Sequence, residues 1–168
     1  MLHARRLAHP LLARRVHARA EDESGAALVE FALVLPLLLV VLLGILDFGR
    51  ALNYWIDETH LANEAARWAV VNKNPGPFGT LQQSVQQQAD SAELRNGGTS
   101  SVAGPATVCI SFPNGTESIG DPVQATVTAT YNWLPFLGNK MGLAQTTIAG
   151  TATMRLEAAP TTYSAGCT

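Results

Sequence analysis

The chain has 168 residues, a formal net charge of −2 and only 14% charged residues. Beside the apolar run at residues 26–46, this length leaves room for one small folded domain. The slightly acidic balance offers no basic surface for nucleic acid, so we expect no nucleic-acid partner.

The charges are unevenly distributed along the chain. Before Ala26 there are five arginines and three acidic residues, whereas six basic and ten acidic residues follow it. A basic head followed by an apolar run and an acidic body is typical of a membrane-targeting layout. Because Lys and Arg are retained on the cytoplasmic side, the pattern predicts that the N-terminus is inside and that everything after Asp47 is outside.

Residues 26–46 read AALVEFALVLPLLLVVLLGIL. A helix rising about 1.5 Å per residue would cross a hydrocarbon core of about 30 Å over this run, which is apolar on every side. An ordinary secretory signal has a shorter apolar core with a small-residue cleavage site. A lipoprotein needs a cysteine just after the run, and the first one here is Cys109. We therefore predict a transmembrane helix that stays in the membrane.

Glu30 is the charged residue inside this run, where a carboxylate costs on the order of 2–3 kcal/mol. One interpretation is that Glu30 snorkels to the lipid headgroups near the end of the span. Its surroundings favour a specific role. Gly25, four small or apolar residues and then Glu30-Phe31 resemble the processing site of the Flp (tight-adherence) pilins. The stretch GAALVEFALVLPLLLVVLLGILDFGRALN closely resembles the start of TadE-like proteins, which are pseudopilin-type components of tight-adherence pilus machinery. Residues 54–71 resemble the family more loosely, and residues 146–157 (TTIAGTATMRLE) resemble its last strand.

The resemblance implies cleavage between Gly25 and Ala26 by a membrane aspartic prepilin peptidase. Glycine would let the chain lie extended in the protease cleft before the helix begins. The resemblance also implies that Glu30 pairs with the free Ala26 amine of a neighbouring subunit, with Phe31 completing the recognition motif. The expected partners are the prepilin peptidase, other pilins or pseudopilins, the pilus assembly platform and the bacterial cytoplasmic membrane. The domains would be a cleaved leader (1–25), a transmembrane helix (26–46) and an extracytoplasmic domain (47–168).

Beyond the membrane, the first helix is predicted to continue to about residue 72. One face of it repeats at three- and four-residue steps: Phe48, Leu52, Trp55, Thr59, Ala62, Ala66 and Ala69. This stripe is either the core face of the helix or, in its Ala-rich part, a close contact for a second helix. Residues 74–79 (NPGPFG) stop the helix. Thr80 is then expected to cap a second helix that ends before Gly97, with one apolar face: Leu81, Val85, Ala89 and Ala92.

Three strands are predicted after residue 103, at residues 107–112, 122–132 and 147–157. Their period-two alternation and the turn residues between them indicate a small antiparallel sheet with one buried face. Together with the helices this predicts an α+β fold of pilin-like layout. The apolar connector at residues 133–138 (WLPFLG) either folds under the sheet or forms an exposed contact patch.

Cys109 and Cys167 form an even count in an oxidising compartment, which predicts one disulfide, with two free thiols as the alternative. Among the histidines only His60 lies outside the leader, and with Glu64 one turn further on it is interpreted as a helix-surface pair. No catalytic, phosphate-binding or dinucleotide motif is present, so we expect no enzyme, no metal and no cofactor.

The sequence thus predicts a pseudopilin or minor pilin-like component of a tight-adherence pilus system. One alternative is a TadF- or TadG-like relative. The other is an uncleaved, single-pass, membrane-anchored periplasmic binding domain.

Overall fold

The computed structural model describes residues 13–134 and 145–168, with side chains from residue 25 onward. The chain divides after Leu43 into two compact units. The described residues of the first unit are all helical, and the second unit holds the rest of that helix, two short helices and a sheet. The predicted α+β fold is confirmed.

Helix α1 spans Ala13–Val70 and contains Pro36, a residue that membrane helices tolerate. Within the described residues it is the helix that is long and apolar enough to cross a membrane, and its most apolar stretch is entirely unburied. Large apolar side chains point outward along it, among them Leu28, Leu33, Leu37 and Val41. A helix that is apolar all round and unburied indicates a single-pass membrane protein.

Beyond Asp47, the buried face of α1 is only partly the predicted one. The predicted alanines are buried in the core: Ala62, Ala66 and Ala69. The predicted aromatic and aliphatic residues are exposed instead: Phe48, Leu52 and Trp55. The face that is buried there carries Asp47, Ala51, Tyr54 and Glu58. Hydropathy selected the wrong residues in this half because it assigns carboxylates to solvent.

The predicted second helix is two short helices, α2 at Leu81–Gln86 and α3 at Ala92–Asn96. The Thr80 cap is confirmed. Its hydroxyl accepts the Gln83 backbone N–H, and the Gln83 side chain accepts the Thr80 backbone N–H, which forms a capping box.

The predicted continuity between these two helices is wrong, and the cause lies on α1. The Asp57 carboxylate accepts the backbone N–H groups of Asp90 (3.2 Å) and Ser91 (3.0 Å). A continuous helix would direct these N–H groups to carbonyls of its own preceding turn. Asp57 also accepts the Ser91 hydroxyl (3.1 Å), which holds the chain in a break before α3.

The sheet contains four antiparallel strands in the order β3-β2-β1-β4. Their bounds are Thr107–Ser111 (β1), Pro122–Asn132 (β2), Gln145–Arg155 (β3) and Gly166–Cys167 (β4). The three predicted strands are confirmed, with small shifts at the ends of β1 and β3. Alternation on β2 is also confirmed, with buried Val123, Ala125, Val127, Ala129 and Tyr131.

Strand β3 packs very closely against α1 at Gly150. A Cβ at this position would clash with the backbone of Glu58. Glycine is therefore required here for the close approach of sheet and helix.

The apolar connector after β2 is described at Trp133 and Leu134, and residues 135–138 lie outside the described residues. Trp133 is half-buried, packs edge-on against Tyr131 with 5.1 Å between ring centroids, and stacks on Phe48 at 6.4 Å. Its indole N–H donates to the Thr146 hydroxyl at 2.8 Å.

Candidate functional site

The predicted processing site lies inside helix α1. Gly25 and Ala26 are both helical and exposed in the chain on its own, and the extended conformation expected in the protease cleft stays a prediction. The helix starts earlier because residues 13–24 are rich in alanine, arginine and glutamate, which favour helix, and contain no proline. A protease that binds an extended segment has to unwind the helix here. Glycine eases that step, since it weakens a helix by about 1 kcal/mol relative to alanine.

Gly25 lies at an open position of the helix, as far as the described residues show. A Cβ built on Gly25 has no neighbouring heavy atom within 4 Å, and the same is true of Gly44 at the other end of the apolar run. An alanine-sized side chain at either position therefore meets no neighbour among the described residues. The two glycines form a matched pair for experiments on processing.

Glu30 and Phe31 are both exposed on α1, and Glu30 is one helical turn after Ala26. Between Gly25 and Leu46, Glu30 is the only charged residue. Among the residues with described side chains, the ion pair found is Glu64–Arg67, which does not involve Glu30. Among the described residues the Glu30 carboxylate is thus exposed and outside any ion pair, and its intermolecular partner stays a prediction.

Asp47, directly after the apolar run, fixes the end of β2 to α1. Its carboxylate accepts the buried Tyr131 hydroxyl at 2.6 Å and the Leu134 backbone N–H at 2.8 Å. Burial, together with the hydrogen bond to Asp47, raises the pKa of Tyr131 above its ordinary value, so the phenol stays a hydrogen-bond donor. Leu134 adopts a positive φ of 42°, an unfavourable conformation for leucine that its N–H bond to Asp47 helps to hold.

Glu58 is another buried acid on α1. The residue is fully buried, and neither carboxylate oxygen makes a hydrogen bond to any part of the chain that the structure describes. Burial, and secondarily the neighbouring Asp57 charge, raises the pKa of Glu58 to about 8. The backbone N–H of Ala129 is near enough to offset part of this effect, although its geometry falls short of a hydrogen bond. The Glu58 carboxyl group is therefore largely protonated at neutral pH.

Hydropathy does not mark these acids as buried residues in the sequence. The available signal is their spacing. Asp47 and Glu58 keep helical register with the buried Ala51 and Ala62, and Asp57 keeps it with the buried Tyr54 and Leu61.

Comparison with protein families identifies the family that part of helix α1 resembles. Residues 25–67 match the family model described as TadE-like protein. This segment is TadE-like. No curated protein and no solved structure matches the chain.

The TadE-like match confirms the resemblance found in the sequence and coincides with the part of α1 that carries the predicted sites. It starts at Gly25, includes Glu30 and Phe31, covers the apolar run and ends at Arg67. A TadE-like segment with an N-terminal candidate membrane span fits a component of a tight-adherence pilus system. Residues 146–157 lie outside the match, and their resemblance to the last strand of the family stays a prediction.

The C-terminal tail also lies outside the TadE-like match and is attached to the domain at several points. Cys109 of β1 and Cys167 of β4 are joined as a disulfide, with their Cα atoms 4.1 Å apart. Asn72, just after α1, accepts the backbone N–H groups of Thr161 (2.8 Å) and Thr162 (2.9 Å). Polar contacts therefore hold a tail that has little apolar content.

The part of the domain that the structure describes contains no group of three or more His, Cys, Asp or Glu residues that could hold a metal ion. His60 is exposed on α1, one turn before Glu64. Asp47, Asp57 and Glu58 are each enclosed, and their roles are to position the backbone and to fill the interior. The exposed surface of the TadE-like helix is therefore the candidate functional site.

Proposed function

We propose that the chain is a pseudopilin-type, or minor pilin-like, component of a tight-adherence pilus. It is inserted in the membrane by residues 26–46 and cleaved between Gly25 and Ala26 by a prepilin peptidase. It then assembles laterally with pilins, pseudopilins or the assembly platform through its apolar helix. The role is structural rather than catalytic.

The observation that carries this proposal is the start of the TadE-like match at Gly25, on the glycine of the predicted processing motif. A match to the apolar run alone would fit any membrane anchor. The motif Gly25-Ala26-Ala27-Leu28-Val29-Glu30-Phe31 adds a cleavable glycine and an acidic residue at a fixed distance after it. Both features have a chemical use if the chain is cut and then assembled.

The proposed orientation has the N-terminus in the cytoplasm and residues 47–168 outside. It is supported by the arginines before the span, which the positive-inside rule keeps on the cytoplasmic side: Arg5, Arg6, Arg14, Arg15 and Arg19. The Cys109–Cys167 disulfide supports the same orientation, because disulfides persist in oxidising compartments.

In the assembled state, the proposed partner of Glu30 is the α-amino group that cleavage exposes on Ala26 of a neighbouring subunit. A carboxylate and an amine that enter the membrane as a pair avoid part of the cost that each would have alone. Removing one partner of a buried pair costs about 3–5 kcal/mol, because the other charge is left uncompensated. The Glu30–Ala26 contact is therefore expected to matter for assembly rather than for insertion.

The test replaces Glu30 by Gln in cells that produce the matching peptidase and pilins. We expect Glu30→Gln to insert and to lose its leader nearly as well as the wild-type chain, but to co-purify far less with its pilin partners. The measurement is co-purification from detergent extracts, with leader removal followed in parallel on the same material.

Glu30→Asp is the matched control because it keeps the charge on a shorter side chain, and it should retain part of the association. If Glu30 only snorkels to the headgroups, Glu30→Gln should be neutral or should insert slightly better. Unchanged co-purification with normal cleavage would contradict the assembly role.

A further inference from the structure

The end of the second unit that follows the apolar run carries a pair of aromatic rings. Phe48 is 54% exposed and stacks on the half-buried Trp133. The last residues of the apolar run, Ile45 and Leu46, belong to the same unit and are also exposed. The position of Trp133 relative to the end of the run is therefore fixed within one compact unit.

Two contacts hold Trp133 at the level of the membrane end of α1. Asp47, the first residue after the apolar run, accepts the Leu134 backbone N–H at 2.8 Å, and Phe48 stacks on the Trp133 ring at 6.4 Å. In a helix, Cα–Cβ bonds tilt toward the N-terminus, so the Asp47 and Phe48 side chains lean toward the apolar run.

Distance along the helix separates these rings from the other two tryptophans. With a rise of about 1.5 Å per residue, Phe48 lies about 3 Å past Leu46, Trp55 about 13 Å and Trp68 about 33 Å. The headgroup layer on each side of the hydrocarbon core is about 5–8 Å thick. Phe48 and Trp133 fall within that layer, whereas Trp55 and Trp68 lie beyond it in an upright helix.

We propose that this end of the domain rests in the interfacial layer of the membrane, with Phe48 and Trp133 among the lipid headgroups. Indole rings concentrate at this depth. The Trp133 N–H is already bonded to the Thr146 hydroxyl at 2.8 Å, so the ring would meet the lipids with its apolar body. The strained turn at Leu134, fastened by Asp47, holds the end of β2 there. The inference needs only the insertion of residues 26–46, and it does not depend on processing or pilus assembly.

Depth-dependent fluorescence quenching tests this inference on the full chain. The chain is reconstituted in phosphatidylcholine vesicles that carry bromine atoms either near the headgroup or near the end of the acyl chain. One variant, Trp55→Phe with Trp68→Phe, keeps Trp133 as its single tryptophan. The matched variant, Trp55→Phe with Trp133→Phe, keeps Trp68.

We expect Trp133 to lose most of its emission to the shallow bromines, to lose less to the deep ones, and to emit at shorter wavelength than in water. Trp68 should lose almost none to either lipid. The Trp68→Phe change should be tolerated, because the buried Trp68 indole N–H has no hydrogen-bond partner among the described residues. If the variants with a single tryptophan fold poorly, the wild-type chain is compared with two single substitutions instead. Trp133→Phe should remove the emission that the bromines quench, and Trp68→Phe should not.

Quenching of Trp133 no stronger than that of Trp68 would overturn the proposal. A neighbouring subunit on this face would give the same result, since it would keep the bromines away from the ring. Flotation of the chain with the vesicles distinguishes a failure of interfacial docking from a failure of membrane insertion. A chain that floats with the vesicles but keeps Trp133 unquenched contradicts only the interfacial docking, whereas a chain that does not float contradicts membrane insertion as well.

Discussion

Glu58 links the stability of the domain to pH through a single buried carboxyl group. Because the folded pKa of about 8 lies above the ordinary value of 4.5, the folded protein binds a proton that the unfolded chain releases. The contribution of Glu58 to stability is fully present below pH 4.5. It declines as the pH rises toward 8, by about 1.4 kcal/mol for each unit of separation between the two pKa values.

We predict that Glu58→Gln makes the domain more stable than the wild type at pH 9. The difference should be a few kcal/mol, because each unit of pKa shift corresponds to about 1.4 kcal/mol. The two should have similar stability at pH 5. Urea unfolding of the full chain in detergent at both pH values measures this. Glu64→Gln is the matched control, since Glu64 lies on the same helix in a surface pair with Arg67, and it should change little. A wild-type stability that does not fall between pH 5 and pH 9 would contradict this role.

Two glycines of the second unit should respond in opposite ways to alanine. Gly150→Ala is predicted to destabilise the domain by about 1–3 kcal/mol, because the new methyl group meets the Glu58 backbone. Gly49→Ala, in an open position on α1, should stabilise it by about 0.5–1 kcal/mol. Urea midpoints of both variants check the pair, and equal stabilities would show that β3 and α1 are not in such close contact.

At the scale of elements, the C-terminal tail is closed onto the sheet by the disulfide and by Asn72. Closing a loop between residues 58 apart is worth about 4 kcal/mol on the chain-entropy model. We predict that exported, non-reduced protein has no reactive thiol, and that Cys109→Ala with Cys167→Ala lowers stability by up to this amount.

Thiol labelling of the full chain and urea unfolding measure the two effects. Asn72→Gly is the matched control, because glycine accepts the positive φ of 51° at this position while losing the side chain that binds Thr161 and Thr162. It should loosen the tail and leave both cysteines unreactive. Two freely reactive cysteines in the wild-type chain would rule the bridge out.

The elements that sequence predicted well are those with local signals. The Thr80 capping box and the alternation of β2 each depend on residues a few positions apart, and the structure has both. The break between α2 and α3 and the buried acids depend on distant partners. Asp57 acts on Ser91, 34 residues away, and Asp47 on Tyr131, 84 residues away. No local pattern carries such pairings, so local patterns predict one continuous helix and place Phe48, Leu52 and Trp55 on the buried face of α1.

At the scale of the whole molecule, the predicted site could be located by sequence because its motif is contiguous. Gly25, Ala26, Glu30 and Phe31 lie within two turns of one helix, and the TadE-like match covers all four. What sequence did not predict is the state of the backbone, since α1 continues through Gly25 to Ala13. The proposed partners of these residues lie on a peptidase and on neighbouring subunits. A single chain therefore contains only one of the two groups in each proposed contact.

Removal of the leader is the step that the proposed function requires, and Gly25 and Gly44 of α1 allow it to be tested at two positions where an added Cβ meets no neighbour. Gly25→Leu should leave a full-length, slower-migrating chain in cells that express the matching peptidase. Gly44→Leu should be processed like the wild type, since a Cβ meets no neighbour at either position. Equal processing of the two variants would mean that the peptidase does not read Gly25.

The most direct test is the N-terminal sequence of the wild-type chain extracted from membranes of cells that contain the matching prepilin peptidase. The account predicts a chain that begins at Ala26, with the sequence Ala-Ala-Leu-Val-Glu-Phe. A mature chain that still carries residues 1–25 under these conditions would contradict the pseudopilin assignment.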